Sequence, residues 1–108
     1  MKLAGQRGMK IAWLNSPHRE HPGETDSTGD HLIWPTHWSD GDPIPFPQQL
    51  EWNPDEDAYE LRTGDPNGTE WLQILEFNEQ GGVTETMIRF EGGAEQSRST
   101  RSGEWQYT

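Results

Sequence analysis

Glycine and proline recur through residues 15–48 at a spacing that no helix of ordinary length survives. Pro17, Pro22, Gly23, Gly29, Pro35, Gly41, Pro43, Pro45 and Pro47 punctuate the stretch. Proline fixes φ and removes a backbone donor, so each one ends or kinks a helix. The segment reads as a long loop region. Two short apolar pieces, Ile11-Ala12-Trp13-Leu14 before it and Leu32-Ile33-Trp34 within it, suit short strands. Asp42-Pro43-Ile44-Pro45-Phe46-Pro47 alternates proline, which biases the preceding residues toward extended edge or polyproline geometry.

From residue 49 the pattern turns to strand and turn. Gln49-Leu50-Glu51-Trp52 alternates, meets the turn-formers Asn53-Pro54-Asp55-Glu56-Asp57, and alternates again over Ala58-Tyr59-Glu60-Leu61-Arg62. This predicts a hairpin with Leu50, Trp52, Tyr59 and Leu61 on one face. Asp65-Pro66-Asn67-Gly68 makes the next turn, and Asn78-Glu79-Gln80-Gly81-Gly82 the one after. Residues 69–80 between them hold no Gly or Pro. Trp71, Leu72, Ile74 and Leu75 fit a central strand, with a short helix ending at Gly81-Gly82 as the alternative. Val83 to Phe90 sets Thr84, Thr86, Ile88 and Phe90 on one face, and Gly103 to Thr108 pairs Trp105 with Tyr107.

The expected fold is mainly β: a small antiparallel sheet (meander, sandwich or partial barrel) with a long Pro/Gly-rich N-terminal loop region over one side and room for one short helix. Residues 1–108 form a single domain. Within it 1–8 read as a flexible leader, 15–48 as loop-rich and 49–108 as the β-rich acidic region. Trp52, Tyr59, Leu61, Ile74, Phe77, Ile88, Phe90 and Trp105 are the expected core.

Only 29% of the residues are hydrophobic, yet six are Trp, three Phe and two Tyr. A few aromatics, each removing roughly 150–250 Å² from water, can build a core where aliphatics are scarce. Cysteine is absent, which excludes disulfides and thiolate chemistry. The N-terminus lacks the apolar run of a signal peptide, and no apolar stretch approaches the roughly 20 residues of a membrane span. The chain is thus expected to be cytoplasmic, with no membrane contact.

The net charge of −11 is unevenly spread. Residues 51–95 hold twelve acidic side chains against Arg62 and Arg89, a net −10. Such a surface repels nucleic acid and attracts basic partners. Asp55, Glu56 and Asp57 cluster at the hairpin tip, with Glu51 and Glu60 on its strands. Carboxylates spaced at about 7 Å along a strand and about 4.8 Å between strands approximate a phosphate row. High-salt adaptation is the competing account, but its acidity should extend to both ends of the chain.

Four histidines, His18, His21, His31 and His37, fall within 20 residues, beside several acids. Nitrogen and oxygen ligands of this kind can hold zinc. The loop offers no frame to aim them and no second metal-binding spacing, so no metal and no cofactor are expected. Glu76, between Leu75 and Phe77, is the best-placed carboxylate for acid–base work, with a place at a sheet edge or a pair with Arg89 as the plainer account. No Gly-x-Ser-x-Gly and no glycine-rich phosphate loop occurs. Trp34 and Trp38, flanking Pro35 and His37, are the aromatics hardest to assign to a core, and could contact a protein or stack on a sugar.

The leading expectation is a non-catalytic acidic protein. Glu51, Asp55, Glu56, Asp57, Glu60, Trp34 and Trp38 would face a basic surface on a nuclease or nucleoprotein, as immunity-type or phage anti-defence inhibitors do by nucleic-acid mimicry. It would not bind nucleic acid itself, and a homodimer is compatible with the sequence. The rivals are a small-ligand or glycan-binding β module using exposed Trp, a structural subunit of a larger assembly, and a metal-dependent or metal-stabilised fold using the histidines.

Overall fold

A computed structural model describes residues 1–16, 18–44 and 48–107. Among these residues eight strands follow one another: β1(Met9–Trp13), β2(Glu20–Thr25), β3(His31–Ile33), β4(Gln49–Asn53), β5(Ala58–Gly64), β6(Thr69–Phe77), β7(Gly82–Glu91) and β8(Ala94–Gln106). Each pairs antiparallel with the next, and β8 returns to pair with β1 through Ile11↔Trp105 and Trp13↔Gly103. The result is a closed up-and-down barrel, which leaves no free first or last strand.

This corrects the expected small sheet with a long N-terminal loop region. The chain is all-β, but its sheet closes, and no helix forms among the described residues. Residues 69–77 form β6 and 78–80 the turn after it, rather than the alternative helix. The supposed loop region supplies β2 and β3, and the breakers explain how. Pro22 pairs with Lys10 of β1, and β2 meets β3 only from Glu24 onward. Pro22 therefore sits where the β3 side of its strand carries no rung, which a residue without an N–H tolerates. Gly23 faces inward, where a Cβ would come within 2.8 Å of Met9 Cε and 3.0 Å of the Trp34 ring. The expected extended segment at 42–47 falls partly on residues 45–47, outside the described residues, as does Pro17.

The core is Met9, Ile11, Trp13, Leu32, Trp34, Leu50, Tyr59, Leu75, Phe77 and Val83, with Leu3 across one end. Of the expected core, Tyr59, Phe77 and Ile88 are buried, whereas Trp52, Leu61, Ile74, Phe90 and Trp105 are half-buried. The predicted hairpin face of Leu50, Trp52, Tyr59 and Leu61 does point inward, toward the core cluster.

The two barrel ends differ. The β2–β3, β4–β5 and β6–β7 turns share one end with the N-terminus. Residues 1–8, expected as a flexible leader, lie across it. The Leu3 N–H donates to Tyr59 Oη (2.8 Å), the Thr25 hydroxyl donates to Leu3 O, and the N-terminal ammonium donates to Phe77 O (3.0 Å). Leu3 is 2% exposed, so this end is sealed. The other end is the mouth, roofed by residues 34–44 of the β3–β4 connection. That connection folds on itself through a His37↔Pro43 bridge and through Trp38 N–H to Asp42 O (2.8 Å). It is tied to β2 by Glu20 N–H to Ser39 Oγ and by Arg19 to Asp40 and Asp42.

Candidate functional site

Beneath this roof lies a cavity of about 220 Å³. His21 comes from β2, and Trp34, Trp38, Ile44 and Gln48 from the β3–β4 connection. Gln73 of β6, Glu85 and Met87 of β7 and Arg101 of β8 complete the lining. Alternation puts Gln73 on the face of Leu75 and Phe77, and Glu85 on that of Val83. A barrel interior is thus apolar toward the sealed end and polar toward the mouth.

His21 is held by aromatic rings on three sides. Trp38 stands 3.6 Å from it between ring centres, Trp34 5.2 Å and Trp13 5.8 Å. The Trp13 indole N–H donates to His21 Nδ1. An indole nitrogen only donates, so the neutral ring carries its proton on Nε2. Burial first, and then the Arg101 and Arg19 guanidiniums, push the His21 pKa down to about 3. The ring is uncharged at neutral pH.

Glu85, 7% exposed, accepts from Arg101 Nε and from Gln73 Nε2, each at 2.7 Å. Arg101 in turn lies over the Trp13 ring, 3.9 Å from its centre. A delocalised guanidinium suits this paired and stacked position. The carboxylate of Glu85 can only accept, which fixes the Gln73 amide with its nitrogen toward Glu85. Gln73 Oε1 is left buried, with no donor among the described residues.

Sequence reasoning placed the candidates differently. Trp34 is 5% exposed and Trp38 half-buried, so both belong to the mouth rather than to an exposed platform. Trp71, 39% exposed, is the tryptophan that faces solvent. The histidines do not converge. His18 is exposed, His21 lines the cavity, His31 bonds Asp26 at 2.8 Å, and His37 bonds Thr36. No group of three or more His, Asp or Glu is placed to hold a metal among the described residues. Glu76 is exposed on the outer face. Glu51 and Glu60 stand directly opposite each other across β4 and β5, beside a second, larger cavity of about 530 Å³ in the barrel wall. Asp55, Glu56 and Asp57 form the tip of that hairpin, at the sealed end and away from the mouth.

Gln73, Glu85, Arg101 and Trp13 were missed as a group. The signal was present as two polar residues, Gln73 and Glu85, interrupting the apolar faces of β6 and β7. Compared with models of known protein families and with curated proteins, the chain matches none.

Proposed function

We propose that this protein is a non-catalytic binding barrel that takes a small organic molecule in its mouth. The observation that carries the reading is the asymmetry of the interior. One end is sealed by the chain's own N-terminus. The other keeps an open cavity lined by Trp34, Trp38, Ile44 and Met87 with a few fixed polar groups. Apolar walls with sparse, convergent polar atoms are what small-ligand sites have in common, and barrel mouths are one of their usual places. Ligand-observed NMR against one- and two-ring fragments tests it. Met87→Trp, which fills the cavity from a half-buried position, should abolish the binding seen with the natural chain. If no fragment binds in a Met87-dependent way, the reading fails.

A second reading keeps the acidic hairpin as a protein-binding surface, aimed at a basic nuclease or nucleoprotein. It is favoured by Glu51 and Glu60 lying in register. Like charges directly opposed across two strands are unfavourable, and a cationic partner relieves them. Salt-dependent association with a basic partner is its test.

A further inference from the structure

We propose that the uncovered edge of β8, at Arg98–Thr100, pairs antiparallel with the same edge of a second copy of this chain, about a two-fold axis at Ser99.

β8 is 13 residues long and β1 only 5. Their pairing runs from Trp13↔Gly103 to Lys10↔Gln106, and the Leu14 N–H adds a last bond to Ser102 O. On its other side β8 keeps β7 from Ala94 to Glu104. Barrel closure is therefore confined to the C-terminal part of β8. Residues 94–100 run on beside β7 alone among the described residues, and every one of them is exposed. An edge of this kind is a template for a further strand.

The backbone groups on that edge can be named. Ser102 O points to the β1 side, since it accepts from Leu14, and the Trp105 N–H points to the β7 side, since it donates to Gly81 O. Alternation then turns the N–H and C=O of Arg98 and Thr100 away from β7, toward the side that β1 does not reach. Toward the hairpin tip the edge ends at a bulge. Ser97 pairs with Arg89 but Glu95 with Phe90, and the strand bends there. The straight part is thus Ser97–Arg101. A second β8 uses all of these groups in one register, with Arg98 opposite the copy's Thr100 and Thr100 opposite its Arg98.

Self-complementarity selects the second copy as the occupant. In this register Ser99 meets its own counterpart in a narrow pair without backbone bonds, where two small hydroxyl side chains fit. An axis at Arg98 would oppose two guanidiniums, and one at Ser97 would fall on the bulge. An axis at Thr100 would set Arg98 against Ser102, whose carbonyl is already bonded to Leu14. Charge agrees. Residues 96–103 contain no acid, Glu95 is paired with Arg98 (2.8 Å), and Glu85 with Arg101 (2.7 Å). This is where two chains of net charge −11 can approach with least repulsion. Leu14, 72% exposed where β1 stops, lies beside Ser102, and the register brings the copy's Gln96 opposite that residue.

Analytical ultracentrifugation of the full chain, over a concentration series at low and high salt, tests the pairing. A monomer–dimer equilibrium is expected, tighter at high salt because screening weakens the repulsion between the copies. Thr100→Pro removes an N–H aimed at the open edge rather than at β7, a position that proline tolerates. It should leave the chain folded and weaken the dimer roughly tenfold or more, because the two-fold loses the bond twice. The chain has no cysteine, so an introduced one reports the register. Ser99→Cys should form a disulfide between copies under mild oxidation, since the facing Cα atoms of such a pair stand about 4.5 Å apart. Ser97→Cys, roughly 14 Å from its counterpart, should not. If Thr100→Pro does not fold, the two cysteine variants decide. A chain that is monomeric at every concentration and salt leaves the edge to a foreign strand and overturns the dimer. Open-ended assembly, a dimer indifferent to Thr100→Pro, or a disulfide formed as readily by Ser97→Cys as by Ser99→Cys overturns it equally.

Discussion

The indole N–H of Trp13 donates to Nδ1 of His21, and this one bond sets the state of the mouth. It fixes the histidine tautomer, and it holds the ring where burial and two arginines keep it neutral. Protonating His21 would break the bond, because Nδ1 would become a donor facing a donor.

A pH dependence of stability follows. The His21 pKa is about 3 in the folded chain, against 6.5 for an unperturbed histidine. The unfolded chain thus binds a proton that the native chain refuses. The stabilisation is present in full above pH 6.5 and is lost as pH falls from there toward 3. Stability should drop by up to about 1.4 kcal/mol per pH unit across that window. Urea unfolding between pH 7 and pH 4 measures the slope. His21→Asn, which keeps an acceptor for Trp13 but does not titrate, should flatten it. His31 works in the opposite direction, because its hydrogen bond to Asp26 raises its pKa. A slope unchanged in His21→Asn would place the titration elsewhere.

Closure of the barrel depends on Gly103. A Cβ there would lie 2.4 Å from Ala12 O and 3.1 Å from Trp13 Cα, both on the backbone of β1. The backbone cannot yield as a side chain can. Gly103→Ala should cost about 1–3 kcal/mol by overpacking, and should lower amide protection along β1 and the end of β8 before it affects β6 and β7. Hydrogen exchange followed residue by residue distinguishes this from a uniform loss.

Tyr59 ties the sealed end together. Its hydroxyl accepts from Leu3 N–H and donates to Gly29 O at 2.7 Å, joining the N-terminus to the β2–β3 turn. Tyr59→Phe leaves the ring packing but strands a buried donor and acceptor, at about 1–3 kcal/mol. Leu3→Ala should cost about 2–5 kcal/mol, the range for a core truncation. Both should let a hydrophobic dye reach the interior from this end, and a dye response unchanged from the natural chain would mean the seal lies elsewhere.

How far the sequence reveals these features depends on distance along the chain. The β4–β5 hairpin is legible because turn chemistry at Asn53–Asp57 and alternation on both sides are local. β6 is legible as a strand for the same reason. Closure is not, because Ile11 meets Trp105 from the opposite end of the chain, and neither residue's neighbours announce the other. The burial of Trp34 depends on the bare backbone of Gly23, which local pattern counts only as a breaker. On β7 the apolar look of Thr84, Thr86, Ile88 and Phe90 drew attention from Val83 and Glu85, which face the interior. A carboxylate such as Glu85 reads as surface until Arg101 and Gln73 are beside it.

The acidic hairpin gives the last test. Asp55, Glu56 and Asp57 are exposed at a turn, and Asp57 has φ +52°, a left-handed conformation that Asn also accepts. The triple change Asp55→Asn, Glu56→Gln, Asp57→Asn should therefore leave stability within about 0.5 kcal/mol of the natural chain. It loosens one contact, the 3.4 Å ion pair of Asp57 with the N-terminal ammonium, which is exposed and weak. If the hairpin is a docking surface, association with purified basic nucleases should slow and its salt dependence flatten, since screening acts over about 8–10 Å at physiological ionic strength. Glu51→Gln with Glu60→Gln should stabilise the free protein slightly, by removing the opposed pair, while weakening the complex. Opposite signs on stability and on binding separate a surface shaped for a partner from acidity that serves solubility. If neither set of changes alters association at any salt concentration, the hairpin has no partner of this kind and the mouth stands as the sole candidate site.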